Sequence, residues 1–187
     1  VEPGDRVLVQ AAAGGVGLLL CQWASYKGAT VIGTVGNDEK AEYALAHGCA
    51  HPIVYTREDF VEQVSEITNG KGVDVVYDAV GKDTFEKGLS CISERGRMVS
   101  YGVASGPIEP VDLRVLRSRS ASIACGGLGS FIKDPTERGA NADELFSLIA
   151  DGTLKVEINQ RYALCDVADA HHELASRKTI GSSILII

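Results

Sequence analysis

Short apolar runs rich in β-branched residues alternate with longer amphipathic stretches along most of the chain. Runs of strand length, each ended by turn residues, predict buried strands at 6–10, 30–35, 53–54, 73–79, 96–101 and 121–125. The stretches that predict helices lie at 18–27, 37–47, 59–67, 84–91 and 143–151. Strands that alternate with helices at this spacing form a parallel sheet with right-handed crossovers. The pattern therefore predicts an α/β fold, a doubly wound parallel sheet with helices on both faces.

The alternation weakens after the sixth predicted strand. Gly126, Gly127 and Gly129 predict a glycine-rich bend, and residues 156–187 depart from the strand–helix rhythm. We therefore divide the chain into a sheet domain at 1–151 and a C-terminal segment at 152–187. The segment is expected to pack on another part of the protein.

The turn between the first strand and the first helix reads Ala12-x-Gly14-x-x-Gly17. This is the Rossmann-type dinucleotide fingerprint with alanine in place of its first glycine. In that fingerprint Gly14 lets the backbone approach a pyrophosphate, and Gly17 lets the helix pack closely. The free N–H groups of the helix N-terminus then hold the anion. A plain tight turn is the alternative, but the strand–turn–helix–strand context favours nucleotide binding.

The end of the second strand distinguishes between nicotinamide cofactors. NAD sites usually place an acid there to hold the ribose hydroxyls, but this strand ends in Val35 and Gly36. Asp38 stands where a helix cap or first-turn residue belongs, and Lys40 follows within reach of a ribose 2′-phosphate. A solvated surface lysine is the alternative for Lys40. We predict NADP(H) rather than NAD(H).

Composition narrows the function classes. Lysine and arginine total 18 against 25 acidic residues, so the net charge of −7 disfavours general binding to nucleic acids or anionic membranes. Five widely spaced cysteines contain no Cys-x-x-Cys pair, which favours reduced thiols in or near a core and a cytoplasmic protein. No stretch is long and apolar enough to span a membrane.

Several catalytic motifs are missing from the sequence. No tyrosine is followed four residues later by lysine, which excludes the short-chain dehydrogenases, and no nucleophile elbow or phosphate loop occurs. The four histidines lack the spacing of metal ligands. We therefore predict neither a catalytic side chain nor a metal site.

Blocks spread over nearly the whole chain resemble the zinc-independent medium-chain reductases. The blocks are Val7 to Gly17, Gln22 to Ala24, Ile32 to Gly36, Val75 to Gly81, Gly96 to Gly102, Glu144 to Phe146, Ser176-Arg177 and Gly181 to Ser183. They are most similar to NADPH:quinone oxidoreductases of the zeta-crystallin type. That resemblance implies an N-terminal GroES-like domain, absent from this chain, on which the C-terminal segment would pack.

The resemblance also implies which residues surround NADPH. Gly15 and Val16 match the pyrophosphate turn beside Gly14, whereas Tyr55 and Arg177 match residues near the adenosine phosphate. The remaining assignments are Gly36, Asn37 and Lys40 around the adenosine ribose, Val80, Tyr101 and Gly102 near the nicotinamide ribose, and Gly127 and Leu128 near the carboxamide. A loop aromatic and a surface arginine are the alternatives for Tyr55 and Arg177.

The function that the resemblance implies is hydride transfer from NADPH to a quinone, with little turnover expected from this chain by itself. Such transfer depends on positioning and a dry pocket more than on a protein acid or base. Reduction of an enone or 2-alkenal is the alternative activity, and a non-catalytic NADPH-binding module is the alternative class. A homodimer is expected through the edge strand between Ala121 and Cys125.

Overall fold

A computed structural model describes all 187 residues. The strands are β1 Arg6–Val9, β2 Thr30–Val35, β3 His51–Val54, β4 Val73–Asp78, β5 Ile92–Ser100, β6 Ser122–Cys125, β7 Ile158–Ala163 and β8 Ser182–Ile186. The helices are α1 Gly15–Tyr26, α2 Asp38–Ala46, α3 Phe60–Ile67, α4 Phe85–Ser90, α5 Arg114–Arg119, α6 Leu128–Phe131, α7 Pro135–Ala150 and α8 Val167–Ala175.

Six strands form one parallel sheet in the order β3-β2-β1-β4-β5-β6. At its centre Val9 pairs with Gly33 of β2 on one side and with Tyr77 of β4 on the other. The chain runs outward from β1 to β3 and then crosses back to β4, so the strand order reverses between β1 and β4. The predicted doubly wound parallel sheet is confirmed, and the reversal opens a crevice at the carboxyl ends of the strands.

The core lies on both faces of the sheet because successive strand residues point to opposite sides. Leu8 and Ile32 pack with Phe60 of α3 and Leu89 of α4 on one face. On the other face, strand residues pack against α1 and α2, with Cys21 at their contact. Both faces of β1 and β2 are thus covered, which explains their nearly continuous apolar sequence.

The starts of two elements differ most from the sequence prediction. β5 begins at Ile92 rather than 96, and α7 begins at Pro135 rather than 143. Asp134 caps α7 by accepting a hydrogen bond from the N–H of Thr136, and proline at the first helical position suits a helix start. The expected glycine-rich bend is also partly wrong, because Leu128 starts the short helix α6 there.

The C-terminal segment continues the strand–helix alternation, so the expected break in rhythm is wrong. β7 and β8 pair in parallel with α8 between them in the chain. This unit packs on the sheet domain: the Gly181 N–H donates to the Ala13 carbonyl over 2.8 Å, and His47 Nε2 lies 3.1 Å from Glu157 Oε1. The end of the chain is thereby held against the turn that follows β1.

The cysteines divide into two groups. Cys21, Cys49 and Cys91 are buried free thiols, whereas Cys125 and Cys165 are exposed. The expectation that all five lie in or near the core is therefore wrong for the last two. No helix combines the length and apolar character that crossing a bilayer requires.

Candidate functional site

A cavity of about 690 Å³ lies at the carboxyl edge of the sheet, around the crevice between β1 and β4. Its wall includes the glycine turn, the end of β2, the loop after β3 and the segment after α8. Its volume lies in the range of small-molecule and cofactor sites, and a crevice at the reversal of strand order is where parallel sheets bind ligands.

The glycine turn leaves backbone donors free directly after Gly14, which lies on the cavity wall. α1 begins at Gly15 after Gly14, and no side chain caps the helix. The N–H of Leu18 makes the first helical bond, to the Gly14 carbonyl, so the N–H groups of the first turn have no partner within the helix. The first turn contains no acid. Uncapped donors together with the helix dipole favour an anion at this position.

Close packing explains the small residues of the turn. A Cβ at Gly17 would collide with the carbonyl oxygen of Ala11, as the fingerprint predicts for its last glycine. Alanine in place of the first glycine is accommodated by Gly33 on β2, where a Cβ would lie 2.5 Å from Cβ of Ala12. The departure from the fingerprint is thus compensated by a second small residue on the neighbouring strand.

Lys40, Tyr55 and Arg177 meet at another part of the cavity wall. The Lys40 ammonium donates over 2.6 Å to the carbonyl oxygen of Arg177, not to a carboxylate. Burial lowers the pKa of Lys40, despite the opposing charge of Glu39. A hydrogen bond with Asp83, and to a smaller extent one with Tyr55, raises the pKa of Arg177. The three side chains form a cationic corner suited to a phosphate.

Two acids near this corner, Asp38 and Asp83, are already paired with cations. Arg57 holds Asp38 at 2.6 Å, and this hydrogen bond lowers the pKa of the Asp38 carboxyl. Arg177 holds Asp83 at 3.1 Å. Val35 and Gly36, at the end of β2, are not acidic. The cavity therefore offers no unpaired carboxylate where an NAD site would hold the ribose hydroxyls.

The structure brings only part of the predicted site to the cavity. The predicted residues on its wall are Gly14, Gly36, Lys40, Tyr55, Val80 and Arg177. Gly15 and Val16 lie at the start of α1, with Val16 exposed. Asn37 caps α2, its side chain accepting a hydrogen bond from the Lys40 N–H.

The last four predicted residues also lie off the cavity wall, as Gly15, Val16 and Asn37 do. Tyr101 and Gly102 follow β5 beside the end of β4, and the N–H of Tyr101 donates to the Asp78 carbonyl. Burial raises the pKa of the Tyr101 hydroxyl to about 12. Gly127 and Leu128 lie past β6, where Leu128 is 71% exposed. Their cofactor roles stay predictions.

Asp78 is a structural residue of the site that the sequence analysis missed. Its carboxylate is fully buried and accepts hydrogen bonds from the N–H groups of Val80 and Gly81, at 2.6 and 3.0 Å, and from the Thr84 hydroxyl. These bonds shape the loop after β4 that presents Val80 to the cavity. An acid as the last residue of a buried strand is the signal that could have revealed it.

Two features now define the class of this protein. The strand order and the glycine turn at its reversal are those of a Rossmann-type dinucleotide-binding fold. The family model of the zinc-binding dehydrogenases matches residues 15–147, and the chain belongs to that family, within the medium-chain dehydrogenases and reductases.

Two of the similar relatives are reductases. The chain is 51% identical over its whole length to a quinone oxidoreductase of Salmonella typhimurium, of which it covers 58%. It is 44% identical over its whole length to a 2-haloacrylate reductase of a Burkholderia species, of which it covers 56%. The chain therefore spans little more than half the length of these relatives.

A solved structure is similar over the same extent. The crystal structure of Escherichia coli quinone oxidoreductase complexed with NADPH superposes on the whole chain with a TM-score of 0.94 and 47% identity. The chain covers 58% of that protein.

The family's name raises the question of zinc. No group of three or more histidine, cysteine or acidic side chains lies close enough together in this structure to hold a metal ion. A protein zinc site needs at least three such ligands, so the residues of this chain do not supply one.

Proposed function

We propose that this chain is the NADPH-binding part of a quinone oxidoreductase. The observation that carries the proposal is the cationic corner of Lys40, Tyr55 and Arg177 in the same cavity as Gly14, which directly precedes the uncapped N-terminus of α1. Two anionic groups of one nucleotide, the pyrophosphate and the 2′-phosphate, match these two positions. The similarity to quinone oxidoreductases, one solved with NADPH, supports the same assignment.

In this proposal the residues of the chain bind and orient the dinucleotide. The N–H groups at Gly15 and Val16 hold the pyrophosphate. Lys40 and Arg177 hold the 2′-phosphate, while Gly36 leaves room for the ribose. The residues near the nicotinamide and its ribose are Val80, Tyr101, Gly102, Gly127 and Leu128. When bound, the nicotinamide supplies a hydride from C4 to the quinone, and the chain provides orientation rather than an acid or base.

The remaining assignments belong to the same proposal. Residues 1–151 form the nucleotide-binding domain, and residues 152–187 associate with a GroES-like catalytic domain in the longer protein. The reaction proceeds without zinc, in the cytoplasm, in a homodimer joined along β6. The position of β6 at the sheet edge supports the last point. Exposed strand edges readily pair with one another.

A second activity is favoured by the 2-haloacrylate reductase relative. The same hydride donor can reduce an activated alkene, so an enone or 2-haloacrylate is the alternative substrate class. The two activities are distinguished by mixing the NADPH-loaded longer protein, of which this chain would be the cofactor-binding part, with a quinone or with a 2-haloacrylate. Only a true substrate speeds the loss of reduced-nicotinamide absorbance. A module without turnover would respond to neither.

The cofactor proposal is tested by fluorescence titration of the chain with NADPH and, in parallel, with NADH. We expect selective binding of NADPH. Replacing Lys40 by alanine should weaken NADPH binding about 10- to 100-fold, since hydrogen bonds between charged groups are among the strongest. NADH binding should change by less than about twofold.

Lys87→Ala is the matched control for this experiment. Lys87 lies on the same cavity wall, but its ammonium pairs with Asp59 at 3.1 Å. We expect its removal to leave the preference for NADPH intact. Equal losses of NADPH and NADH affinity in Lys40→Ala would contradict the 2′-phosphate assignment. Absence of binding by the unmodified chain would contradict the proposed cofactor site.

A further inference from the structure

Gln10 is a buried polar residue of the cavity wall with no role in the proposal so far. It follows β1 directly and is only 1% exposed. Its backbone N–H continues the sheet by donating to the Tyr77 carbonyl over 3.0 Å. Gln10 lines the cavity together with Thr34.

A short chain of hydrogen bonds orients the Gln10 amide. The Ala11 N–H donates to the Thr34 hydroxyl oxygen over 3.3 Å, and the Thr34 hydroxyl donates its proton to Gln10 Oε1 over 2.6 Å. The carbonyl end of the amide is therefore engaged by β2. The Nε2 group at the other end of the amide takes no part in these hydrogen bonds.

Gln10 Nε2 is buried and has no hydrogen-bond partner in the structure. A buried donor without a partner destabilises a protein, and nearly all such groups in native proteins are satisfied. The other end of the same amide is well bonded, so the side chain is held in this orientation. A ligand acceptor that enters the cavity would satisfy the free donor.

The neighbours of Gln10 indicate which part of a nucleotide it would meet. Thr34, Val35 and Gly36 share its side of the cavity wall and lead to the corner formed by Lys40 and Tyr55. Of the residues predicted for the nicotinamide half, Val80 lines this cavity from the loop after β4, whereas Tyr101, Gly102, Gly127 and Leu128 do not. Because the Gln10 side chain bonds to Thr34 of β2 and not to the loop after β4, we place it on the adenosine side.

We propose that Gln10 Nε2 donates a hydrogen bond to an uncharged acceptor of the adenosine moiety, a ribose oxygen or an adenine nitrogen. The proposal rests on the proposed NADPH site. Because the acceptor is common to both dinucleotides, Gln10 contributes to affinity and not to the choice between NADPH and NADH. In this respect it differs from Lys40.

The test is Gln10→Met in the 187-residue chain, which keeps the size of the side chain but removes the donor. We expect the affinities for NADPH and NADH each to fall roughly three- to tenfold, with their ratio unchanged within about twofold. Adenosine 2′,5′-bisphosphate, which lacks the nicotinamide half, should lose affinity by the same factor. The melting temperature without nucleotide should change little, because the substitution removes an unsatisfied donor together with the acceptor of the Thr34 hydroxyl.

Two further variants keep the outcome interpretable. Gln10→Glu keeps an oxygen for the Thr34 hydroxyl but has no donor, and should weaken both dinucleotides at least as much. Thr68→Val removes a buried hydroxyl that bonds to Val64 and Gly72 away from this cavity. It should lower the melting temperature and leave both affinities unchanged.

The possible results separate this inference from the proposed function. If the unmodified chain binds NADPH and Gln10→Met binds it equally well, the contact does not exist. A lower melting temperature with unchanged affinities would show that Gln10 is only structural. Failure of the unmodified chain to bind NADPH would overturn the proposed function and this contact with it.

Discussion

The two halves of the sheet differ in how well their carboxyl edges are enclosed. Around β1 and β2 the strands are buried on both faces, and the segment after α8 closes the cavity with Arg177. Around β6 the strand residues are mostly exposed, α5 and α6 bury no residue, and Phe131 is 60% exposed.

This difference shows which half of a dinucleotide the chain can enclose by itself. On the side of β1 and β2, a cationic corner and a free amide line one cavity, and the backbone donors at the start of α1 lie directly after Gly14 on its wall. On the side of β6, apolar side chains such as Leu128 and Leu113 lie exposed. We infer that adenosine binding depends on residues within this chain, whereas the nicotinamide side requires further surfaces to exclude water.

The largest expected effect comes from Gly17→Ala, compared with Gly127→Ala. A methyl group at Gly17 would collide with the Ala11 carbonyl, whereas a Cβ at Gly127 meets nothing within 4 Å. Gly17→Ala should cost about 2–4 kcal/mol of the free energy of unfolding, as overpacking does. It should also weaken NADPH binding about 100-fold, because the backbone donors of α1 move.

Thermal unfolding and NADPH titration of the two variants measure this contrast. We expect Gly127→Ala to change the melting temperature by no more than about 2 °C, the shift produced by roughly 0.5–1 kcal/mol in a chain of this size. Similar losses of stability in both variants would contradict the difference between the two halves of the sheet.

An intermediate effect is expected from Ala124→Lys on the exposed edge strand. Ala124 pairs with Val99 of β5 on one side of β6, and the other side is the edge of the sheet. Charged residues on an edge strand disfavour pairing with another edge. The substitution should weaken self-association about tenfold by light scattering, with NADPH affinity unchanged. An equally stable dimer would place the interface elsewhere.

The fold and half of the candidate site followed from local sequence signals. Strand periodicity and turn residues predicted all six strands of the main sheet. The spacing of Gly14, Gly17 and Lys40 pointed to the region where the structure has its cavity. Such signals depend on neighbours in sequence, so a single chain displays them directly.

Other features depend on contacts between distant residues, which explains why the sequence analysis missed them. Gln10 resembles any polar residue at a strand end until Thr34, 24 positions later, binds one end of its amide. Gly33 compensates for Ala12 only because β1 and β2 are neighbours. The pairing of β7 with β8 was missed because Ile158–Ala163 is mostly polar and exposed.

The smallest expected effect concerns the contact between the C-terminal unit and α2. The hydrogen bond from His47, with further help from Tyr43 and Lys155, lowers the pKa of Glu157. A carboxyl whose pKa is lower in the folded state stabilises the protein above its unfolded pKa, about 4.3 for glutamate, and this contribution disappears as the pH falls through the folded value.

Glu157→Gln should therefore reduce stability at neutral pH by about 0.5 kcal/mol or less, because the pair is partly exposed. Urea unfolding at neutral pH and near pH 3 should show a difference between the two proteins only at neutral pH. A difference of the same size at both pH values would mean that the contact acts through packing and not through charge. In that case the C-terminal unit would belong to the enclosed half of the molecule through packing, without an electrostatic contribution.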